Sequence, residues 1–256
     1  MASQLDFAGG TFVNDLVADT DDSLRVADAA VETARPSVIA FVGLAFEARI
    51  AAAPGVQVVC RTAGTDLETV AVGAARQGYR GMISFGVAGG LDSDLRPGDW
   101  VVASSIRDAD ADHPTDVAWS RKLLGLIDGA VHAPIAGVDE PVSEPAKKRE
   151  LYRATGAAAV DMESHMVARV AAEHKLAFTA VRVVVDPAHR AVPPAALIGM
   201  RPDGRADIWA VLRDLAVRPF QLSLLTRITM DAFTARAELV RVRRQIGPQF
   251  GLTEQG

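Results

Sequence analysis

A single cysteine, Cys60, stands in the 256 residues, so no disulfide can form within the chain. There is no basic excess either: 32 acidic against 27 basic residues give a formal net charge of −5. No basic run precedes the C-terminal region, which argues against a nucleic-acid backbone as partner. Unbroken apolar runs are short. Stretches such as "VIAFVGLAF" at 38–46 stop far below the roughly 20 residues that cross a bilayer. The opening "MASQLDFAGG" lacks the basic and apolar regions of a signal peptide, and a cytoplasmic protein is expected. Neither Gly-x-Ser-x-Gly nor Ser-x-x-Lys occurs, and Cys60 lies inside an apolar run, so nothing supports covalent catalysis. His165 and His189 belong to no His/Cys/Asp/Glu set with ligand spacing, and no metal is expected.

What the chain does have is length and a hydrophobic content of 49%, enough for one large domain. We expect a single domain over 1–256, with 199–245 a helical C-terminal extension. Short β-branched runs recur at 37–44, 56–60, 81–89, 99–106 and 177–186, apolar on both faces as in a covered sheet. Between them, "DLETVAVGAARQG" at 66–78 and "SHMVARVAAEHK" at 164–175 repeat small or apolar residues at helical spacing. The alternation predicts an α/β fold with a central mixed, mostly parallel β-sheet flanked by helices. In such sheets ligands bind beyond the strand ends. The acidic stretch 107–118 and the proline-rich stretch 186–206 read as surface loops near such a site.

Four places carry residues fit for chemistry. Glu47, in "GLAFEAR", follows the first strand within a turn; it suits a general base or a bond to a substrate hydroxyl, and equally a first-turn glutamate favoured by the helix dipole. Gly86, Val87 and Gly89, in "SFGVAGGL", follow a strand where backbone N–H groups can approach an anion or sugar, though a tight turn uses the same glycines. Asp161 and Glu163, in "AVDMESHMVARVA", flank Met162 where a strand becomes a helix. One carboxylate can cap the helix while the other accepts two hydrogen bonds from neighbouring sugar hydroxyls. Asp186 ends an apolar strand, where burial raises a carboxyl pKa and suits a proton donor, or it opens the "DPAH" turn.

Taken together, "VGLAFEAR", "SFGVAGGL", "LRPGDWVV", "AVDMESHMVARVA" and "FTAVRVVVD" resemble, in order and rough spacing, the purine nucleoside phosphorylase and nucleosidase superfamily. The resemblance covers residues 37–190. Within it the chain looks most like the methylthioadenosine/S-adenosylhomocysteine nucleosidase branch, and most of all like the hopanoid-associated phosphorylases, tied to removal of adenine from adenosylhopane in hopanoid side-chain synthesis. By that resemblance Glu163 binds the ribose hydroxyls, Met162 packs beneath the sugar and Asp186 assists protonation of the leaving purine. The water-activating glutamate of the nucleosidases pairs with Glu47, or with Ala48 in an ungapped alignment. Residues 138–143, "VDEPVS", fall about where the family's purine-contacting loop lies and match it poorly.

These residue types suit cleavage of a purine N-glycosidic bond, which leaves an oxocarbenium-like sugar and a purine that needs a proton. Where several phosphorylases of the family place an arginine, a second arginine and a serine against phosphate, this chain has Glu47, Ser84 and Val87. Hydrolysis is therefore expected over phosphorolysis, with no cofactor; inorganic phosphate as co-substrate stays open through Arg49, or Arg61 with Thr62, or a neighbouring subunit. Expected partners are a small-molecule or lipid-linked adenine nucleoside and, by resemblance, further copies of the chain. Trp209, Leu212, Leu215, Phe220, Leu222, Leu224 and Leu225 fit helices packed on the sheet or another subunit, or an apolar entrance for a lipid tail at the membrane surface. A methylthioadenosine/S-adenosylhomocysteine nucleosidase and a catalytically silent nucleoside-binding protein remain the alternatives.

Overall fold

The computed structural model describes residues 37–61, 66–192 and 222–252. Eight strands form one sheet: β1 (Val38–Val42), β2 (Val56–Cys60), β3 (Gly81–Gly90), β4 (Trp100–Arg107), β5 (Asp112–Pro114), β6 (Val131–Gly137), β7 (Ala159–Asp161) and β8 (Ala177–Asp186). The order is β2-β1-β3-β7-β6-β4-β5, with β8 paired to both β3 and β4. Parallel pairing joins β1 to β2 and β3, β3 to β8, β4 to β6 and β6 to β7; β3–β7, β4–β5 and β4–β8 are antiparallel. The mixed, mostly parallel sheet expected from the sequence is the observed one.

Alternation along each strand divides the core in two, as period-2 side-chain placement requires. Ile39, Phe41, Met82, Phe178, Ala180 and Val184 face one layer, which includes residues of α2 (Leu67–Arg76) and α5 (Ser164–His174). Val38, Ala40, Val42, Ile83, Phe85, Val181 and Val183 face the other. That layer is closed by α1 (Ala45–Ala51), α3 (Val117–Leu126) and the last helix, α6 (Leu222–Gln245). In α6, Ala235, Leu239 and Val242 recur at helical spacing and are buried, so the second half of this helix is part of the core. Phe250 beyond it packs edge-on against Phe85 at 5.1 Å between ring centroids. Trp209, Leu212, Leu215 and Phe220 lie outside the described residues, as do the side chains of Leu222, Leu224 and Leu225.

The acidic stretch 107–118 is not one loop. Arg107 ends β4, Asp112–Pro114 pairs back on it as β5, and α3 starts at Val117. Asp108 gathers the Asp110 and Ala111 N–H groups, and this hairpin occupies the sheet edge. Helix α4 (Pro145–Thr155) joins β6 to β7 and ends at Gly156 in the left-handed conformation, as helix C-termini commonly do.

Candidate active site

The site lies at the C-terminal ends of β1, β3, β7 and β8, and a gap in the sheet makes it. Strand β3 pairs with β1 from Gly81 to Ser84 and, on the same side, with β7 only at Gly89 and Gly90. Phe85 to Ala88 have no strand neighbour there. A carboxylate fills the gap instead: the Val87 N–H donates to Glu47 Oε1 at 2.7 Å. The other oxygen, Oε2, accepts the Gly43 and Leu44 N–H groups at 2.9 and 2.8 Å. Glu47 therefore serves the start of its own helix, as the first-turn reading has it, and reaches across the site to β3 with the same carboxyl group. It is buried, whereas Ala48 next to it is half-buried and carries no polar group. Burial pushes the Glu47 carboxyl up to about 7, against the opposing pull of Arg182 and the Val87 N–H.

Arg182 is the hub that inspection of the sequence missed. It stands between Ala180 and Val184 on an apolar face of β8 and is fully buried. Its Nε donates to Asp161 Oδ2 at 2.7 Å, and its Nη2 donates to Ser84 Oγ at 2.6 Å, Ser164 Oγ at 3.2 Å and Glu163 Oε2 at 3.4 Å. Burial lowers its pKa and Asp161, Glu163 and Glu47 raise it further, leaving the guanidinium charged. Gly86 pairs with Arg182 in the β3–β8 register. A Cβ on Gly86, at φ +155°, would lie 2.3 Å from Glu47 Oε1 and 2.8 Å from Arg182 Nη1. Glycine is what lets carboxylate and guanidinium meet over the strand.

Asp161 and Glu163 divide the work. Asp161 Oδ1 accepts the Glu163 and Ser164 N–H groups at 3.1 and 2.9 Å, Oδ2 accepts the Ser164 hydroxyl and Arg182, and the side chain is buried. Its oxygens are engaged by the start of α5 and by Arg182. Of the two roles open to this pair Asp161 takes the cap: it starts the helix and holds the arginine. Glu163 keeps one oxygen on Arg182, and Oε1 accepts Arg61 Nη1 at 3.1 Å. A Cβ on Gly43 would come within 2.8 Å of that same Oε1, so Glu163 and Glu47 flank Gly43. Burial raises the Glu163 pKa; Arg182 and Arg61 oppose it, and Asp161 adds to it. Three carboxyl groups share two guanidiniums here. The Val87 N–H, free in principle to meet an anion or sugar, is taken up by Glu47.

On the far side of β3, Asp186 lies against Gly89: a Cβ there would be 3.3 Å from Asp186 Oδ2. The β3–β8 register shifts between Ala88 and Gly89, so that Gly89 pairs with Asp186 and Val185 is passed over. Such a bulge re-aims a side chain. Burial raises the Asp186 pKa, while Lys148 and Arg190 pull it down. Lys148, on α4, is fully buried and pairs with Asp186 Oδ2.

Met162 lines a cavity of about 240 Å³ with Arg61, Asp66, Leu67, Asp139 and Met166, next to Glu163. Its carbonyl accepts Arg61 Nη1 at 3.4 Å. Residues 138–143 form the loop between β6 and α4, tied to the segment after Asp186 by Val192 N–H donating to Ser143 O at 2.9 Å. Arg49 is exposed on α1 and Thr62 lies outside the described residues. His165 is buried with Nε2 3.1 Å from Asp139 Oδ1, and His189 is exposed. Among the described residues no three potential ligands converge on a metal site, and no helix is long and apolar enough to cross a membrane.

A family model described as the Phosphorylase superfamily matches residues 45–198. The chain belongs to that superfamily. No curated protein matches it in sequence. Among solved structures, 5′-methylthioadenosine/S-adenosyl homocysteine nucleosidase from Helicobacter pylori superposes with a TM-score of 0.56 at 16% identity, over 82% of this chain and 98% of that one. The same enzyme from Campylobacter jejuni gives 0.54 at 14%, over 80% and 99%. Futalosine hydrolase of Helicobacter pylori gives 0.51 at 18%, over 59% and 88%. At these identities the likeness establishes the superfamily's fold in this chain.

Proposed function

We propose that this site cleaves the N-glycosidic bond of an adenine nucleoside with water as nucleophile. One observation carries the reading: a buried carboxyl group held near neutrality, Glu47, faces a permanently charged Arg182 across Gly86, with Glu163 on the other side of Gly43. Water between them loses a proton to Glu47 as its oxygen bonds to C1′. The C1′–N9 bond breaks as Glu163 holds the ribose hydroxyls and steadies the positive charge on the sugar. Asp186 lies on the purine side, where the departing base takes its proton at N7. The products are the free base and the ribose still carrying its 5′ substituent.

The substrate we favour is adenosylhopane, releasing adenine. The sequence resemblance supports it, and so does α6. Asp231 pairs with Arg190, four residues past Asp186, and Met230 and Phe233 beside Asp231 are each 64% exposed. They offer apolar surface for a large 5′ substituent near the purine loop. Phosphorolysis of the same substrate is the second reading, favoured by Arg61 and Arg182 standing together at Glu163. The superposed nucleosidases add support for a nucleoside substrate with a 5′ thioether.

The test is adenine release from adenosylhopane in detergent, with and without phosphate, with methylthioadenosine as competitor. Phosphate-independent release fits the proposal. Strict phosphate dependence replaces water with phosphate, turnover of methylthioadenosine alone removes the hopanoid substrate, and adenine binding without turnover of any nucleoside ends the enzymatic reading.

A further inference from the structure

Helix α4, "PAKKRELYRAT", reads as a solvated charged helix, yet among its residues only Lys148 is buried. Its neighbour Lys147 behaves as the sequence suggests, exposed and 3.0 Å from Glu144. Lys148 is 0% exposed. An ammonium removed from water costs several kcal/mol unless it is paired and hydrogen-bonded. Here Nζ donates to Pro187 O at 3.0 Å, Asp186 O at 3.2 Å and Arg190 O at 3.4 Å, besides the Asp186 carboxylate.

Three carbonyls alone would match the three N–H groups of an ammonium. The buried charge needs a counter-charge as well, and Asp186 supplies it. Of the two Asp186 oxygens Lys148 engages Oδ2, and the carboxyl group lies against Gly89, whose Cβ would stand 3.3 Å from Oδ2 and 3.5 Å from Oδ1. The Asp186 side chain is 13% exposed, so the group is not wholly closed off from solvent. Arg190 is the other charged group acting on Asp186, and it is itself paired with Asp231.

We infer that Lys148 is a positioning residue for the leaving-group step: its ammonium fixes Asp186 Oδ2 and the 186–190 backbone, and so aims Oδ1 at the departing purine. The inference rests on the glycosidic-cleavage reading above. It assigns a role to a residue far from the sugar and to a helix with no other part in the site. Because Lys148 also pulls the Asp186 pKa down, its removal leaves burial to push that pKa higher.

The test compares Lys148→Met and Lys148→Gln with the unmodified protein on two leaving groups: an adenine nucleoside, whose base must be protonated, and 4-nitrophenyl β-D-ribofuranoside, whose phenolate leaves without a proton. General acid assistance contributes about 10²–10⁴-fold, so Lys148→Met should lose at least about 30-fold more on the adenine nucleoside than on the riboside, in kcat with KM little changed. The ratio of the two rates does not depend on how much of a preparation folds. The high-pH limb of kcat on the adenine nucleoside should move upward in both variants, a second readout that does not need the riboside. Lys148→Gln, which keeps a donor without the charge, should recover part of kcat and keep the shifted limb. Equal losses on both leaving groups with an unmoved limb would make Lys148 a structural clamp and overturn the inference alone. No nucleoside turnover by the unmodified protein would overturn the cleavage reading, and this inference with it.

Discussion

Replacing Glu47 by glutamine tests the site without removing its shape. The Glu47 carboxyl is raised from 4.5 to about 7, chiefly by burial. Between those values the folded protein holds a proton that the unfolded chain has lost, so this group's share of stability is greatest below about 4.5 and falls as pH rises through about 7. At 1.36 kcal/mol per pH unit, the loss amounts to about 3 kcal/mol. Glutamine cannot titrate. Its NH₂ must face either the Val87 N–H or the Gly43 and Leu44 N–H groups, all of which now donate to Glu47, a cost of about 1–3 kcal/mol that does not vary with pH. The pH dependence is therefore the clean quantity. Urea unfolding of both proteins from pH 4.5 to 8 at fixed ionic strength should show the wild type losing about 3 kcal/mol relative to Glu47→Gln, or about 6–12 °C in Tm. If Glu47 is also the base, kcat/KM of the wild type should rise with half-maximum near pH 7, and the variant should fall by about 10²–10⁴. A stability difference that stays flat over that range would refute the argument, whatever the variant does to activity.

Gly86→Ala should abolish measurable turnover, since its Cβ would meet Glu47 Oε1 at 2.3 Å, and the φ of +155° adds strain of about 1–3 kcal/mol to be read from urea midpoints. Arg182→Met leaves Asp161 and Glu163 buried without their guanidinium, and unfolding in urea should show a loss of about 3–5 kcal/mol. Glu163→Gln should lower kcat/KM by about 10–100-fold, the worth of charge-assisted bonds to the sugar hydroxyls. On a 2′,3′-dideoxy substrate that difference should shrink to the part that comes from steadying the charge on the sugar, as measured by initial rates.

Sequence patterns foreshadowed the sheet well where strands are mainly apolar: β1, β3, β4 and β8, buried along most of their length, and the edge strand β2 all fall at the predicted runs, to within two residues at either end. β6 and β7 escaped because "VHAPIAG" contains a proline and "AVD" is three residues long; such strands are defined by neighbours and not by their own pattern. Glu47, Glu163 and Asp186 were visible because each stands just beyond an apolar run. Arg182 had a signal too, a lone charge within "TAVRVVV", since burying a guanidinium requires acidic partners. Lys148 had none, because in "EPAKKRELYR" nothing local separates the lysine that turns inward from the one that turns to solvent. Local pattern left Asp161 and Glu163 interchangeable and only the resemblance singled out Glu163; in the structure the Glu163 and Ser164 N–H groups on Asp161 mark the helix-starting carboxylate.

The gap between β1 and β7 along β3 gives this protein a built-in reporter. In an ordinary ladder the Val87 amide would be bonded to a neighbouring strand and blind to the chemistry. Here its partner is the titrating Glu47 carboxylate, so its proton resonance should move as that group changes charge, and its exchange with deuterated water should quicken when a ligand draws the carboxylate away. One nitrogen-15 label at a valine can thus follow the ionisation of the central acid during binding, without a dye, a substituted side chain or a turnover assay.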